Sequence, residues 1–174
     1  EYFRLGALEV SPDGKLAATL ADYDGSERFE LRIRDLATGN DIETVTKVGI
    51  GEPVWTSDSR GVVFNEVNDQ WRSYRARFHR LGTPVDQDIT LYEETENTGF
   101  YVGAGKSQDR SLIIVATGDN STSEVRFVGA DDPTQPLTLM SPRKEGLEYH
   151  VDAAHGKLWI RTNDNHVNFR LAEA

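Results

Sequence analysis

Few side chains in this sequence stand where they could make or break a bond. A serine acts as an acyl-accepting nucleophile when a neighbouring base takes its proton and a strained strand-to-helix turn exposes its oxygen. The pentapeptide of that turn, Gly-x-Ser-x-Gly, does not occur. Asp24-Gly25-Ser26-Glu27 and Gly118-Asp119-Asn120-Ser121 come nearest, but both fail the spacing and no helical pattern follows, so their serines read as turn residues. Histidine is the usual general base, and there are four: His79, His150, His155 and His166. No two lie at helical metal-ligand spacing, no cysteine supports them, and nothing near them would activate a hydroxyl. Asp22-Tyr23-Asp24-Gly25 with Glu30 echoes a calcium loop, yet it lacks a third acid and falls in a hairpin turn rather than between helices. Asn120-Ser121-Thr122 has the form of a glycosylation sequon and is expected to be a plain hairpin loop. Trp55 and Trp159 fall in alternating strand runs and are expected in the core. Trp71, in Asn68-Asp69-Gln70-Trp71-Arg72-Ser73, is the tryptophan expected at the surface and the first place to look for contact with a peptide or another domain. No catalytic, cofactor-binding or metal-ligating residue is therefore assigned.

The elements that would have to position any site come in copies. Ser11-Pro12-Asp13-Gly14-Lys15 sits between the apolar runs Ala7-Leu8-Glu9-Val10 and Leu16-Ala17-Ala18-Thr19-Leu20. The same grammar returns at Thr56-Ser57-Asp58-Ser59-Arg60 and at Ser107-Gln108-Asp109-Arg110-Ser111. Ala153-Ala154-His155-Gly156-Lys157 is a degraded fourth copy, with His155 in place of the turn Asp. Spacings of 45, 51 and 46 residues match a four-stranded propeller blade and not a helical repeat. Within the first copy, Leu8–Ser11, Lys15–Asp22, Phe29–Arg34 and Ile42–Val45 read as strands, the third alternating strictly with Phe29, Leu31 and Ile33 on one face. The later copies give Val54–Thr56, Gly61–Val67, Tyr74–Arg80 and Ile89–Glu93, then Tyr101–Ala104, Leu112–Thr117, Glu124–Val128 and Leu137–Met140, then Tyr149–Asp152, Leu158–Thr162 and Val167–Leu171. Helical periodicity is absent, and the total is about fifteen short strands. The fold is expected to be all-β: a β-propeller fragment of about 3.75 four-stranded blades, too few to close a ring of about seven. Blade 1 is expected over about 5–48, blade 2 over about 52–96, blade 3 over about 99–143 and a partial blade 4 over about 147–174. An open arc leaves edges uncovered, so the natural protein is expected to be longer and the fragment to self-associate through its open ends.

Composition narrows the function classes. The 174 residues hold 37% hydrophobic and 28% charged residues, a globular balance. The absence of cysteine excludes a disulfide framework and fits a reducing, cytoplasmic setting. No apolar run approaches a membrane span and no signal segment opens the chain, while the missing initiator Met reads as a fragment or a processed product. A net charge of −10 repels nucleic acid and anionic membranes and favours cationic partners, although solubility alone would also explain it.

A specific resemblance appears when the copies are read together. Tyr2-Phe3-Arg4-Leu5-Gly6-Ala7-Leu8-Glu9-Val10-Ser11-Pro12-Asp13-Gly14 resembles the start of the propeller in the prolyl oligopeptidase family, and is most similar to its oligopeptidase B-like members. Glu27-Arg28-Phe29-Glu30-Leu31-Arg32-Ile33-Arg34-Asp35-Leu36-Ala37-Thr38-Gly39 resembles the family's first-blade outer hairpin, and Val54-Trp55-Thr56-Ser57-Asp58-Ser59 its second blade. His79-Arg80-Leu81-Gly82-Thr83-Pro84, Asp86-Gln87-Asp88, Leu91-Tyr92-Glu93-Glu94, Thr122-Ser123-Glu124-Val125, Glu148-Tyr149 and Thr162-Asn163 follow in the family's order. His79 matches a structural position of that family. Together the segments cover essentially the whole chain.

The resemblance implies a seven-bladed propeller capping an α/β-hydrolase domain, with oligopeptides filtered by size on their way to a Ser-His-Asp site that this chain lacks. Its partners would be that hydrolase domain and an oligopeptide, cleaved after Lys or Arg in an oligopeptidase B-like enzyme, with no cofactor, nucleic acid or membrane. Two other readings are a stand-alone interaction propeller that docks a protein partner and a propeller enzyme with an axial site. The last needs a carboxylate pair on the inner strands, and Ala7–Ser11, Val54–Thr56, Tyr101–Ala104 and Tyr149–Asp152 are nearly free of inward acids.

Overall fold

The computed structural model describes residues 2–174. Among them, regular structure consists of strands and one short 3₁₀ turn, Val85–Gln87. The strands are β1 (Arg4–Val10), β2 (Leu16–Asp22), β3 (Phe29–Asp35), β4 (Asp41–Trp55), β5 (Gly61–Val67), β6 (Ser73–Arg80) and β7 (Ile89–Glu93). They continue with β8 (Tyr101–Lys106), β9 (Leu112–Gly118), β10 (Ser123–Gly129), β11 (Thr138–Leu139), β12 (Tyr149–Ala154), β13 (Lys157–Thr162) and β14 (Arg170–Glu173). Every pairing is antiparallel between chain neighbours, giving one sheet of β1 to β7, a second of β8 to β11 and a third of β12 to β14.

The first sheet is two four-stranded units sharing β4. The earlier part of β4 pairs with β3, from Asp41 opposite Arg34 to Gly49 opposite Phe29. Its later part pairs with β5, and the register breaks between Ile50 and Val54. Glycine makes the change of partner feasible. Gly51 takes φ +77°, and a Cβ on Gly49 would fall 2.5 Å from Leu20 Cδ2 and 3.2 Å from the Phe29 carbonyl.

Alternation along the strands then builds the core between units. Phe29, Leu31 and Ile33 of β3 are buried, while Arg34 is exposed. β5 is buried along its whole length because both of its faces are covered. Val62 and Phe64 pack with Ala18, Leu31, Ile33 and Trp55 against the first unit. Val63 packs the other way, with Val54, Phe78, Ile113 and Val128 against the third unit. Val125, Tyr149 and Val151 close the last interface. The second sheet is thus sandwiched between the first and the third, stacked as the blades of a propeller are.

Several strands differ from their expected limits. β1 begins at Arg4 rather than Leu8, and β11 is only Thr138–Leu139. The final strand is Arg170–Glu173, and Val167, expected to start it, is 89% exposed in a turn whose Asn165 and Phe169 both take positive φ. The fourth turn also departs from the repeat. His155 and Gly156 take φ of +56° and +72° in a two-residue hairpin that pairs Ala154 with Lys157. That is type I′ geometry, so His155 does not stand where the other turns place Asp. Trp159, expected in the core, lies opposite Asp152 and Glu173, on the face of β13 turned away from Tyr149 and Val151, and is only half-buried.

Candidate functional site

Three of the repeat turns use their hydroxyls for folding. Ser11, Thr56 and Ser107 donate to Asp13, Asp58 and Asp109 at 2.7, 2.6 and 2.8 Å. The same oxygens accept the backbone N–H of Leu16, Gly61 and Leu112 at 3.0, 3.1 and 2.9 Å. The Ser11 hydroxyl and then the Lys15 N–H hold Asp13 below the usual carboxylate value. Ser111, through its hydroxyl and then its N–H, does the same for Asp109. The position after each Asp takes positive φ, in Gly14, Ser59 and Arg110. A second turn repeats at the ends of β2, β5 and β9. Asp22 accepts the N–H groups of Asp24, Gly25 and Glu27 at 3.0, 2.9 and 2.8 Å. Asn68 accepts those of Gln70 and Arg72, and Asp119 those of Ser121 and Thr122. The Asp22 carboxylate that echoed a calcium loop is therefore committed to its own backbone, and Glu30 turns to Arg32 at 2.6 Å. Sequence reading missed this second repeat, whose signal is Asp or Asn at 22, 68 and 119.

The four histidines are dispersed. His79, 1% exposed on β6, places Nδ1 2.6 Å from Asp88 Oδ1 and Nε2 3.0 Å from Glu43 Oε2. This bridge joins the outer part of β4 to β6, and burial pushes the Asp88 carboxyl above its usual value despite the opposing hydrogen bond from His79. His150 lies exposed on β12, His155 in the β12–β13 turn and His166 in the loop before β14. Among the described residues no hydroxyl bonds to any of the four imidazoles, and no group of three or more His, Asp or Glu side chains could hold a metal ion. Asn120 is exposed in the β9–β10 loop.

Trp55 is 4% exposed and donates from Nε1 to the Glu9 carbonyl at 2.9 Å, tying the second unit to the first. Trp71 is 50% exposed, as expected. Its indole is nevertheless fixed: Nε1 donates to the Ser26 carbonyl at 2.9 Å, and the Arg28 guanidinium lies 4.7 Å from the ring centre. Its backbone takes φ +58°, a strained setting for a bulky residue.

Two buried carboxylates, Glu66 inside β5 and Glu94 just after β7, were not read from the sequence. Glu66 accepts from Thr46 at 2.8 Å and from Arg75 at 2.7 Å. Glu94 is 2% exposed and meets Arg143 at 2.6 Å, the Tyr92 hydroxyl at 2.9 Å and the Asn97 N–H at 2.9 Å. Burial alone would raise the Glu94 carboxyl, but Arg143, the Asn97 N–H and Tyr92 outweigh it and hold it at about 2. Arg72 donates to the carbonyls of Glu94, Asn97 and Phe100 at 3.1, 3.0 and 3.0 Å, shaping the segment before β8. Arg75 and Arg77, alternating on the strand beside Glu66, were the available signal.

Surfaces open to a ligand or partner lie at both ends of the stack. One end of the stack carries the loops after β2 and β5 and the start of β1 and β8, with Tyr2, Phe3, Tyr23, Trp71 and Tyr101 exposed. At the other end, a cleft of about 300 Å³ lies between the last residues of β1, β4 and β8. The first offers exposed aromatic rings to a partner, and the second lines its walls with Glu9, Glu52, Lys106 and Arg110, which suit a polar ligand.

The family model described as "Prolyl oligopeptidase, N-terminal beta-propeller domain" matches residues 1–174. The chain is 35% identical to the dipeptidyl aminopeptidase BI of Pseudoxanthomonas mexicana, over all of this chain and 24% of that protein. It is 31% identical to Protease 2 of Moraxella lacunata, over 98% of this chain and 25% of that protein. Its backbone matches oligopeptidase B from Trypanosoma brucei, solved in a closed form with covalently bound antipain, at a TM-score of 0.87 and 24% identity over 99% of this chain and 24% of the other. The chain spans about a quarter of the length of the curated relatives it matches. It belongs to the prolyl oligopeptidase family and constitutes part of that family's N-terminal β-propeller domain.

Proposed function

We propose that this chain is the non-catalytic, substrate-gating part of a serine-type oligopeptidase, admitting and orienting oligopeptides for a hydrolase domain outside these residues. The observation that carries the reading is the match of the whole chain to the propeller of a peptidase family, while its turn hydroxyls are engaged with Asp side chains and backbone rather than with a histidine.

Topology favours one end for the hydrolase domain. Each of the first three units has four antiparallel strand segments, and an even number returns the chain to the end at which it arrived. The crossings therefore sit at the end bearing Phe3, Tyr23, Trp71 and Tyr101, whose exposed aromatics suit a partner surface. Cleavage after Lys or Arg agrees with the net charge of −10, which draws cationic peptides. The setting we propose is cytoplasmic, consistent with the lack of cysteine.

A fluorophosphonate probe tests the reading. In a lysate of the source organism, peptides of this sequence should appear by mass spectrometry in a labelled chain much heavier than 19.5 kDa. That protein should cleave short Lys- or Arg-containing peptides and spare folded proteins. Recovery only in a shorter, unlabelled protein would instead support a stand-alone propeller that docks a protein partner.

A further inference from the structure

The cleft at the ends of β1, β4 and β8 has walls of opposite charge. Lys106 and Arg110 stand on the side of the third unit, and Glu9 and Glu52 on the side of the first two. Lys106 is half-buried, and Nζ donates to the Trp55 carbonyl at 2.7 Å across the boundary between units. An ammonium has three donors, and this hydrogen bond uses one. Neither Lys106 nor Arg110 has a carboxylate at ion-pair distance among the described residues, whereas the Arg75, Arg77, Arg126 and Arg143 side chains elsewhere in the fold each reach one. Burial, together with the nearby positive Arg110, pulls the Lys106 ammonium below its ordinary value, as expected for a cation short of a counter-ion. Space is available beside it in the cleft of about 300 Å³, which Ala104 and Gly105 line with little or no side chain.

We propose that this cleft binds the C-terminal carboxylate of a peptide, with Lys106 and Arg110 holding the carboxylate and Glu9 and Glu52 facing the N–H groups behind it. The two glutamates select the ligand class. A multiply charged anion such as phosphate would meet like charge on the opposite wall, whereas a peptide end carries one negative charge followed by backbone donors. The inference rests on the peptidase reading for its choice of a peptide, but the binding it describes needs no catalytic residue.

Calorimetric titration of the full 174-residue chain with acetyl-Gly-Ala-Ala as the free acid, as its amide and against inorganic phosphate tests the assignment. The acid should bind at least about tenfold more tightly than the amide, the difference expected of charge-assisted hydrogen bonds. Lys106→Gln keeps a donor for the Trp55 carbonyl and should melt like the parent while binding acid and amide alike. Arg110→Asn, which tolerates the positive φ at that position, should weaken the acid to a lesser degree. Glu52→Gln should tighten the acid, an effect in the opposite direction that a purely structural lysine would not produce. Equal binding of acid and amide, no binding of either, phosphate binding as tightly as the acid, or an unchanged acid affinity in a folded Lys106→Gln variant would each overturn the proposal. None of these outcomes touches the labelling result, so failure of the cleft and failure of the peptidase reading stay distinguishable.

Discussion

Arg143, in the segment between β11 and β12, reaches back to Glu94 after β7 and sets Nη2 2.6 Å from Oε2. The same guanidinium lies 3.5 Å from Glu124 of β10, so one cation serves two buried carboxylates from different units. It also stacks 4.4 Å from the ring of Phe100. The second and third units are therefore held at their rim by charge as well as by the apolar contact of Val63 with Ile113 and Val128.

Because Glu94 falls from an ordinary 4.5 to about 2 in the fold, its depressed value contributes stability above the unfolded value that is lost as pH falls from 4.5 toward 2. Glu94→Gln should cost about 3 kcal/mol near neutrality by leaving Arg143 with only the more distant Glu124 as counter-ion. It should also flatten the acid limb of a urea-melt series over that range. A parent-like acid limb in the variant would refute the assignment.

At the first interface, Ile33 is fully buried while Arg34 is exposed and paired with Asp41 at 2.7 Å. Ile33→Asp should destabilise by about 4 kcal/mol or more through an unpaired buried charge. Arg34→Ala should leave the melting temperature close to the parent's. Equal effects in a thermal melt would contradict the register of β3.

His79→Leu should cost about 3 kcal/mol, because it strips the buried Asp88 carboxyl of its imidazole partner and breaks the contact to half-buried Glu43. Asp88, already raised by burial, would then have to ionise without the imidazole. A raised carboxyl contributes stability that is present below its ordinary value and lost as pH rises through the folded value. The Asp88→Asn change should thus recover part of the His79→Leu loss at neutral pH, and much less at low pH. A double-mutant cycle by urea denaturation measures the coupling, and strict additivity would exclude the bridge.

Arg72→Ala should cost about 2 kcal/mol, since a guanidinium that bonds three carbonyls has no replacement. Arg72→Lys should recover little, because an ammonium lacks the planar fork. Amide hydrogen exchange should quicken across residues 94–100 and leave β1–β3 unchanged.

Much of the fold was legible because its signals are local. The Ser/Thr-x-Asp turns at 11, 56 and 107 announce themselves within five residues, and their hydroxyl and carboxylate pair in place. The alternation of Phe29, Leu31 and Ile33 named the buried face of β3 correctly. Errors arose where a local pattern was compatible with two geometries. Trp159 belongs to an apolar run, but only the pairing of β13 shows that it sits opposite Asp152, on the outer face. His155 kept the place of Asp in the copy count, while the turn itself had shortened to type I′.

By itself the sequence determined the repeat period, the turn chemistry and the choice of strand over helix, all of which depend on residues a few positions apart. Only the tertiary structure decided which groups meet across copies. Trp55 finds the Glu9 carbonyl 46 residues away, Trp71 the Ser26 carbonyl 45 away and Lys106 the Trp55 carbonyl 51 away. These separations are about one repeat, because stacking sets each copy against the next. The bridge at His79, the anchoring of Glu94 and the isolation of Lys106 all depend on that stacking distance and on the burial it creates, and burial is a property of the packed sheets that no window of sequence contains.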